Sequence, residues 1–148
     1  MEKTSHPLYY GGKLMPWAKA VVVKDCKGFI FLGGTEGRDP ETGVVVKGAE
    51  AQARLCFEKI RSRLEELGSS LENIVKMTIY LAGEFPDGIA KSPTWTEVRK
   101  AEQKFFKEHC PSLCADNSPP PLDLVGVTAL AMKEMLVEIS IIAALPDD

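Results

Sequence analysis

The sequence has little of what would point to a metal centre, a membrane or a nucleic acid. It holds two histidines, His6 and His109, and four cysteines, Cys26, Cys56, Cys110 and Cys114, with no CxxC pair. A closed zinc site draws four ligands together at characteristic spacings, so no metal and no cofactor is expected. The local cluster "HCPSLC" (residues 109–114) reads as a helix end running into a loop, and the thiols as free and mostly buried. No apolar run approaches the roughly 20 residues that cross a bilayer. The N-terminus "MEKTSHPLYYGGKLMPW" lacks the basic start and apolar stretch of a secretory signal. A cytoplasmic location with no membrane partner is therefore expected. The formal net charge of −3 gives no electrostatic reason to bind nucleic acid, which asks for a basic face. Internal repeats and low-complexity tracts are absent.

What remains fits one domain, residues 1–148, large enough to bury a core without disulfides or metals. "AKAVVVKD" and "GFIFLGG" read as two strands joined by the turn at residues 25–28. The stretch 35–48 reads as a surface loop with a short edge strand at residues 44–46. Over residues 49–67, Ala53, Cys56, Ile60, Leu64 and Leu67 recur every three or four positions and mark one face of a helix, which Gly68 ends. Ser69 and Glu72 form a candidate capping box ahead of a strand over 75–81, with Met77, Ile79 and Leu81 on one side. A second helix is expected to start near Ser92 or Thr94, with Pro93 in its first turn and a Thr94/Glu97 capping box. Its buried stripe is Trp95, Val98, Phe105 and Phe106. After a long loop, strands are expected at 122–130 and 136–145. The order is β-β-α-β-α-β-β, an α+β fold with a mixed sheet and both helices on one face. Several strands are apolar on both alternating sides, so the other face of the sheet needs a partner.

The stretch "SPPPLDLVGV" (residues 118–127) raises a separate question. Three consecutive prolines stiffen the backbone just ahead of an apolar strand, so the approach is an ordered rail. Leu122, the residue it delivers, can do no acid–base chemistry.

The segments "GAEAQARLCFEKIRSRLEELGSSLENIVKMTIYL", then residues 95–106, then "VGV…LVEISIIA" resemble the RidA/YjgF reactive-intermediate deaminase family, over residues 16–143. The resemblance implies a homotrimer whose sheets pack into a central β-barrel, with small-molecule clefts between subunits. It further implies cofactor-free hydrolysis of short-lived enamines and imines. Carried over position by position, it makes Glu138 in "LVEIS" the carboxylate that activates water. Gly33 and Gly34 fall where the family's backbone faces the ligand, and Trp17 after Pro16 takes the place of its usual tyrosine. Arg99 falls at a pocket position on the second helix. The family's clamp arginine, whose planar fork grips a substrate carboxylate, corresponds to Leu122, and the next pocket position to Leu124.

Two readings follow. Arg99 supplies a substitute charge for an anionic substrate, or the cleft has turned toward apolar ligands lined by Trp17, Leu122 and Leu124. Arg99 reads equally as an exposed helix charge. Glu138 reads either as a general base whose pKa is raised by partial burial or as a structural charge paired across an interface, for instance with Arg54. Asp123 points away from Leu122 and Leu124 and is expected to cap the proline loop. Glu36 and Arg38 lie in the early loop and are expected to be solvated charges; the alternative is that they rim the site. The expected function is a divergent hydrolase or deaminase of imine-like or enamine-like small molecules; the alternative is a non-catalytic small-molecule-binding trimer. An RNA-cleaving role is disfavoured by the acidic balance.

Overall fold

A computed structural model describes residues 1–147. The chain opens with a feature the sequence reading lacked. Strand β1 (Glu2–Tyr10) and strand β2 (Lys13–Lys24) form an antiparallel hairpin with Tyr10 opposite Lys13. The two residues between them, Gly11 and Gly12, have φ of 56° and 76°. A two-residue hairpin turn of this hand demands positive φ twice, which glycine accepts without strain. The expected neighbours β2 and β3 (Gly28–Phe31) do not pair. Strand β3 instead runs antiparallel to the C-terminal strand β7 (Val137–Leu145), so that expectation is corrected.

Strand β4 (Thr35–Glu36) also pairs with β7. Helix α1 (Ala49–Glu66) follows, with Ala53, Cys56, Phe57, Ile60 and Leu64 fully buried. Leu67 is 53% exposed, outside the stripe assigned to it, because it lies where the helix terminates. Gly68 then takes φ 85°. Its N–H and that of Ser69 donate back to the carbonyls of Glu65 and Leu64, satisfying the frayed end. Ser69 makes no capping box with Glu72: its Oγ donates to the Ala144 carbonyl and accepts from Asn73. Residues 44–46 likewise form no strand, only one bridge between Arg38 and Val45.

Strand β5 (Ile74–Ala82) leads through helix α2 (Pro93–His109) to strand β6 (Leu122–Val127), which lies parallel to β5. Ser92 caps α2 by accepting from the Trp95 N–H at 3.1 Å, and Pro93 occupies the first helical position. The cap is therefore Ser92, not the Thr94/Glu97 box. Strand β6 ends three residues before the expected boundary. The main sheet runs β3-β7-β5-β6 with β4 beside β7. Both helices cover one face, where Phe57, Phe105 and Phe106 meet with ring centroids 5.2–6.3 Å apart. On the other face Phe29, Phe31 and Val125 stand exposed.

One buried polar side chain fixes the loops at the site end of the sheet. Gln52 on α1 donates to the carbonyls of Val46 and Glu134 and accepts from the Leu136 N–H, at 2.8–3.0 Å. Gly37 packs so closely here that a Cβ would lie 2.5 Å from the Gln52 Cα. Gln52→Leu keeps the volume and strands three backbone groups. It is expected to cost about 3 kcal/mol, read as a lower urea midpoint at unchanged slope.

Candidate functional site

Glu138 lies on the uncovered face of the sheet. The pairing of β4 with β7 sets Glu36 directly opposite it. Residues facing each other on neighbouring strands bring their side chains within reach, so the two carboxyl groups stand side by side. Glu138 holds its proton above the ordinary carboxylate range, first because partial burial disfavours the charge, then because Glu36 stands beside it with a like charge. Gly34 completes this group. A Cβ there would lie 2.6 Å from Glu138 Oε2, so the backbone approaches the carboxylate as closely as glycine allows. Gly33 is exposed, with open space where its Cβ would be. Gly34 and Glu138, named from the sequence, are thus brought together.

The short strand carrying Glu36 is held from beneath. Cys56 Sγ donates to the Thr35 carbonyl at 3.2 Å, and burial pushes this thiol up to about 12, so it stays protonated. Arg63 donates to Thr35 Oγ1 at 3.0 Å, and Lys59 Nζ to the carbonyls of Glu36 and Arg38, each at 2.9 Å. Within the chain Arg54 pairs with Glu58 and Glu108.

The other sequence-predicted residues lie elsewhere in the chain. Leu122 and Leu124 are half-buried and pack against the core, on the helix side of the sheet, away from Glu138. Asp123 is exposed and pairs with Lys76 Nζ at 2.9 Å; the role expected for it, capping the proline loop, gives way to this ion pair. Arg99 is half-buried and ion-paired to Glu102 on the next turn of α2. Trp17 packs against the core and lines a small cavity with Tyr9, Asp116 and Asn117. The loop at residues 115–117 separates it from the cavity that holds Arg99.

The proline rail is bonded at every carbonyl. Pro119, Pro120 and Pro121 accept from Ser5 Oγ, the Ala18 N–H and the Met77 N–H at 3.0–3.2 Å, tying β1, β2 and β5 to one segment. Among the described residues no three or more His, Cys, Asp or Glu side chains gather as a metal would require. From the sequence Glu36 is expected to be a solvated loop charge. Its position opposite Glu138 is a tertiary pairing that no local pattern reveals.

Gly34→Ala is expected to displace the flexible Glu138 carboxylate while changing the melting temperature little, since only a side-chain end must yield. Glu36→Gln removes the like charge, so the Glu138 pKa falls. The acid limb of any Glu138-dependent rate is expected to move to lower pH, as read from a pH–rate profile.

The family model described as Endoribonuclease L-PSP matches residues 13–145. A RutC family protein of Pyrococcus abyssi is 34% identical over 122 residues, covering 80% of this chain and 87% of that protein. The 2-iminobutanoate/2-iminopropanoate deaminase of Salmonella typhimurium is 26% identical over 119 residues, covering 80% and 81%. The crystal structure of a Thermotoga maritima protein described as a putative endoribonuclease superposes with a TM-score of 0.61. It is 27% identical and covers 88% of this chain and 87% of that one. No helix among the described residues is long and apolar enough to cross a membrane. With a family model spanning almost the whole chain and a mixed sheet backed by two helices, this protein belongs to the RidA/YjgF family.

Proposed function

We propose that this protein is a divergent, cofactor-independent hydrolase of imines, enamines or related small molecules with a conjugated nitrogen, working in clefts between the subunits of a homotrimer. The observation that carries this reading is the Glu36–Glu138 carboxyl pair set against the Gly34 backbone on an uncovered sheet face. A carboxylate with raised proton affinity is a better match for moving a proton from water near neutral pH than an ordinary surface glutamate. The name of the Salmonella relative supports the substrate class.

In this reading Glu138 takes a proton from water as the water oxygen bonds to the imine carbon and the C=N electron pair moves onto nitrogen. The nitrogen takes up that proton from Glu138, giving a carbinolamine; Glu138 then takes the hydroxyl proton and passes it to the amino nitrogen, and as the carbonyl forms the C–N bond breaks and ammonia leaves. Glu36, opposite Glu138 on the neighbouring strand, tunes the pH at which the base is available. The Gly33–Gly34 backbone leaves room for the substrate beside it.

The departure from the family's pattern is at the anion clamp. A leucine stands at position 122, and Arg99, the nearest substitute by sequence, is already paired to Glu102. The substrate is therefore of lower negative charge than a simple 2-imino acid. Trimer formation is supported by the uncovered sheet face, where Phe31 is 73% exposed. It would bring Glu138 of one copy toward walls supplied by another.

Phe31→Asp is expected to yield monomers in size-exclusion chromatography with light scattering; an unchanged oligomer would place the interface elsewhere. With 2-aminoacrylate generated in situ by a pyridoxal enzyme, little ammonia above background is expected, whereas imines of uncharged ketones should turn over. On such a substrate Glu138→Gln is expected to lower kcat by about 100-fold or more, and an unchanged rate would remove Glu138 as the base. Saturable binding of imine analogues with no turnover of any imine would instead favour the non-catalytic binding trimer.

A further inference from the structure

Strand β4 is two residues long, well short of the five or six of an ordinary strand. Two residues give it few ladder bonds with which to hold its place on β7. Lys59 of α1 supplies what the ladder lacks. Its ammonium donates to the carbonyls of Glu36 and Arg38, each at 2.9 Å. The Gly37 carbonyl between them accepts from the Val46 N–H at 2.9 Å. One side chain thus ties the residue that carries the second carboxyl, and the turn that follows it, to a helix of the core.

The choice of residue type is informative. Lysine presents three donors on one compact charge, and two of them are used here on carbonyls. Partial burial, then the neighbouring Arg63, lowers the proton affinity of this amine, while Cys56 and Glu36 oppose them. A lysine therefore stands here against part of its surroundings. The charged and titratable groups near the carboxyl pair are Cys56 beneath it, Tyr80 opposite Glu138 on β5, and Lys59 flanked by Arg63 and Arg38.

We propose that Lys59 is a positioning residue for the carboxyl pair: by holding the Glu36 and Arg38 carbonyls it keeps β4 in register on β7, so that Glu36 stays opposite Glu138. Its part in the reaction rests on the reading of Glu138 as the base; the hold on β4 does not. Lysine can act on Glu138 in two ways, and they have opposite signs. As a plain positive charge it favours ionised carboxylates, so its loss would raise the Glu138 pKa. As a hold on β4 it keeps a like charge beside Glu138, so its loss would lower that pKa.

The test follows the Glu138 side-chain carboxyl through a pH titration of the full chain carrying carbon-13 glutamate, the signal being assigned by its loss in Glu138→Gln. Lys59→Met, which keeps the length and removes the donors, is expected to lower the Glu138 midpoint, in the direction of Glu36→Gln. Combined with Glu36→Gln it is expected to add little, as for residues that act through one another. Lys59→Arg, which keeps the charge and the donors, is expected to lie closer to the parent. Should Lys59→Met fail to fold by circular dichroism, Lys59→Gln, neutral with one amide donor, is expected to give a smaller shift of the same sign. On an imine that turns over, Lys59→Met is expected to move the acid limb of the rate to lower pH. The proposal is overturned if the midpoint rises or stays in the folded variant. It is equally overturned if the shift adds in full to that of Glu36→Gln, or if arginine lies no closer to the parent than methionine. The expected titration with no turnover of any imine would sink the hydrolase reading and leave the hold on β4 standing. Glu138-dependent turnover without the titration shift would sink the role of Lys59 alone.

Discussion

The molecule is organised by one commitment: a single face of its sheet absorbs the apolar stripes of both helices. Alternate residues of a strand point to opposite faces, so this choice fixes the direction of every side chain in β3, β5, β6 and β7. Ile79 lies between Leu124 and Ile139 in the pairing register, and that row is core. Tyr80 lies between Val125 and Glu138, and that row faces away from the helices. A one-residue slip of β7 would bury Glu138 among Phe57 and Phe105 and expel Ile139 to solvent. The position of the carboxylate is thus enforced by the hydrophobic core rather than by its own contacts.

The same parity separates two kinds of chemistry within one chain. Carboxyl groups meet on the uncovered face, where β4 and β7 bring Glu36 to Glu138. The guanidinium and the buried carboxyl of α2 lie behind the sheet. The first group is supported by a polar scaffold of Thr35, Arg63, Lys59 and Gln52, in which each donor found is directed at a named carbonyl or hydroxyl. Such a scaffold holds a two-residue strand that its own propensities could not maintain.

Both helices were legible in the sequence because their apolar spacing is strong and their ends carry Gly68 and the Ser92–Pro93 pair. Strands β5 and β7 were legible for the analogous reason, with apolar residues at every second position. The N-terminal hairpin was not. "EKTSHPLYY" is polar, carries Pro7 and shows no clear alternation, so only Gly11–Gly12 signalled it. Adjacency along the chain suggested a partner for β3 that β7 in fact supplies. Of the candidate site, the Gly34–Glu138 pair was readable through the family resemblance. Glu36 and Glu102 were not, because a glutamate in a loop or on a helix reads as a surface charge until the fold shows what surrounds it.

The three prolines before β6 have an effect beyond holding their neighbours. Strand β6 is the last in the sheet and leaves one side without a strand neighbour. A free edge of this kind is a template on which other chains can add and aggregate. Here the stretch leading into it has no N–H to offer across residues 119–121, and its carbonyls are already taken by Ser5, Ala18 and Met77. The exposed template is therefore limited to six residues, and the segment that delivers Leu122 also guards the chain against runaway strand addition.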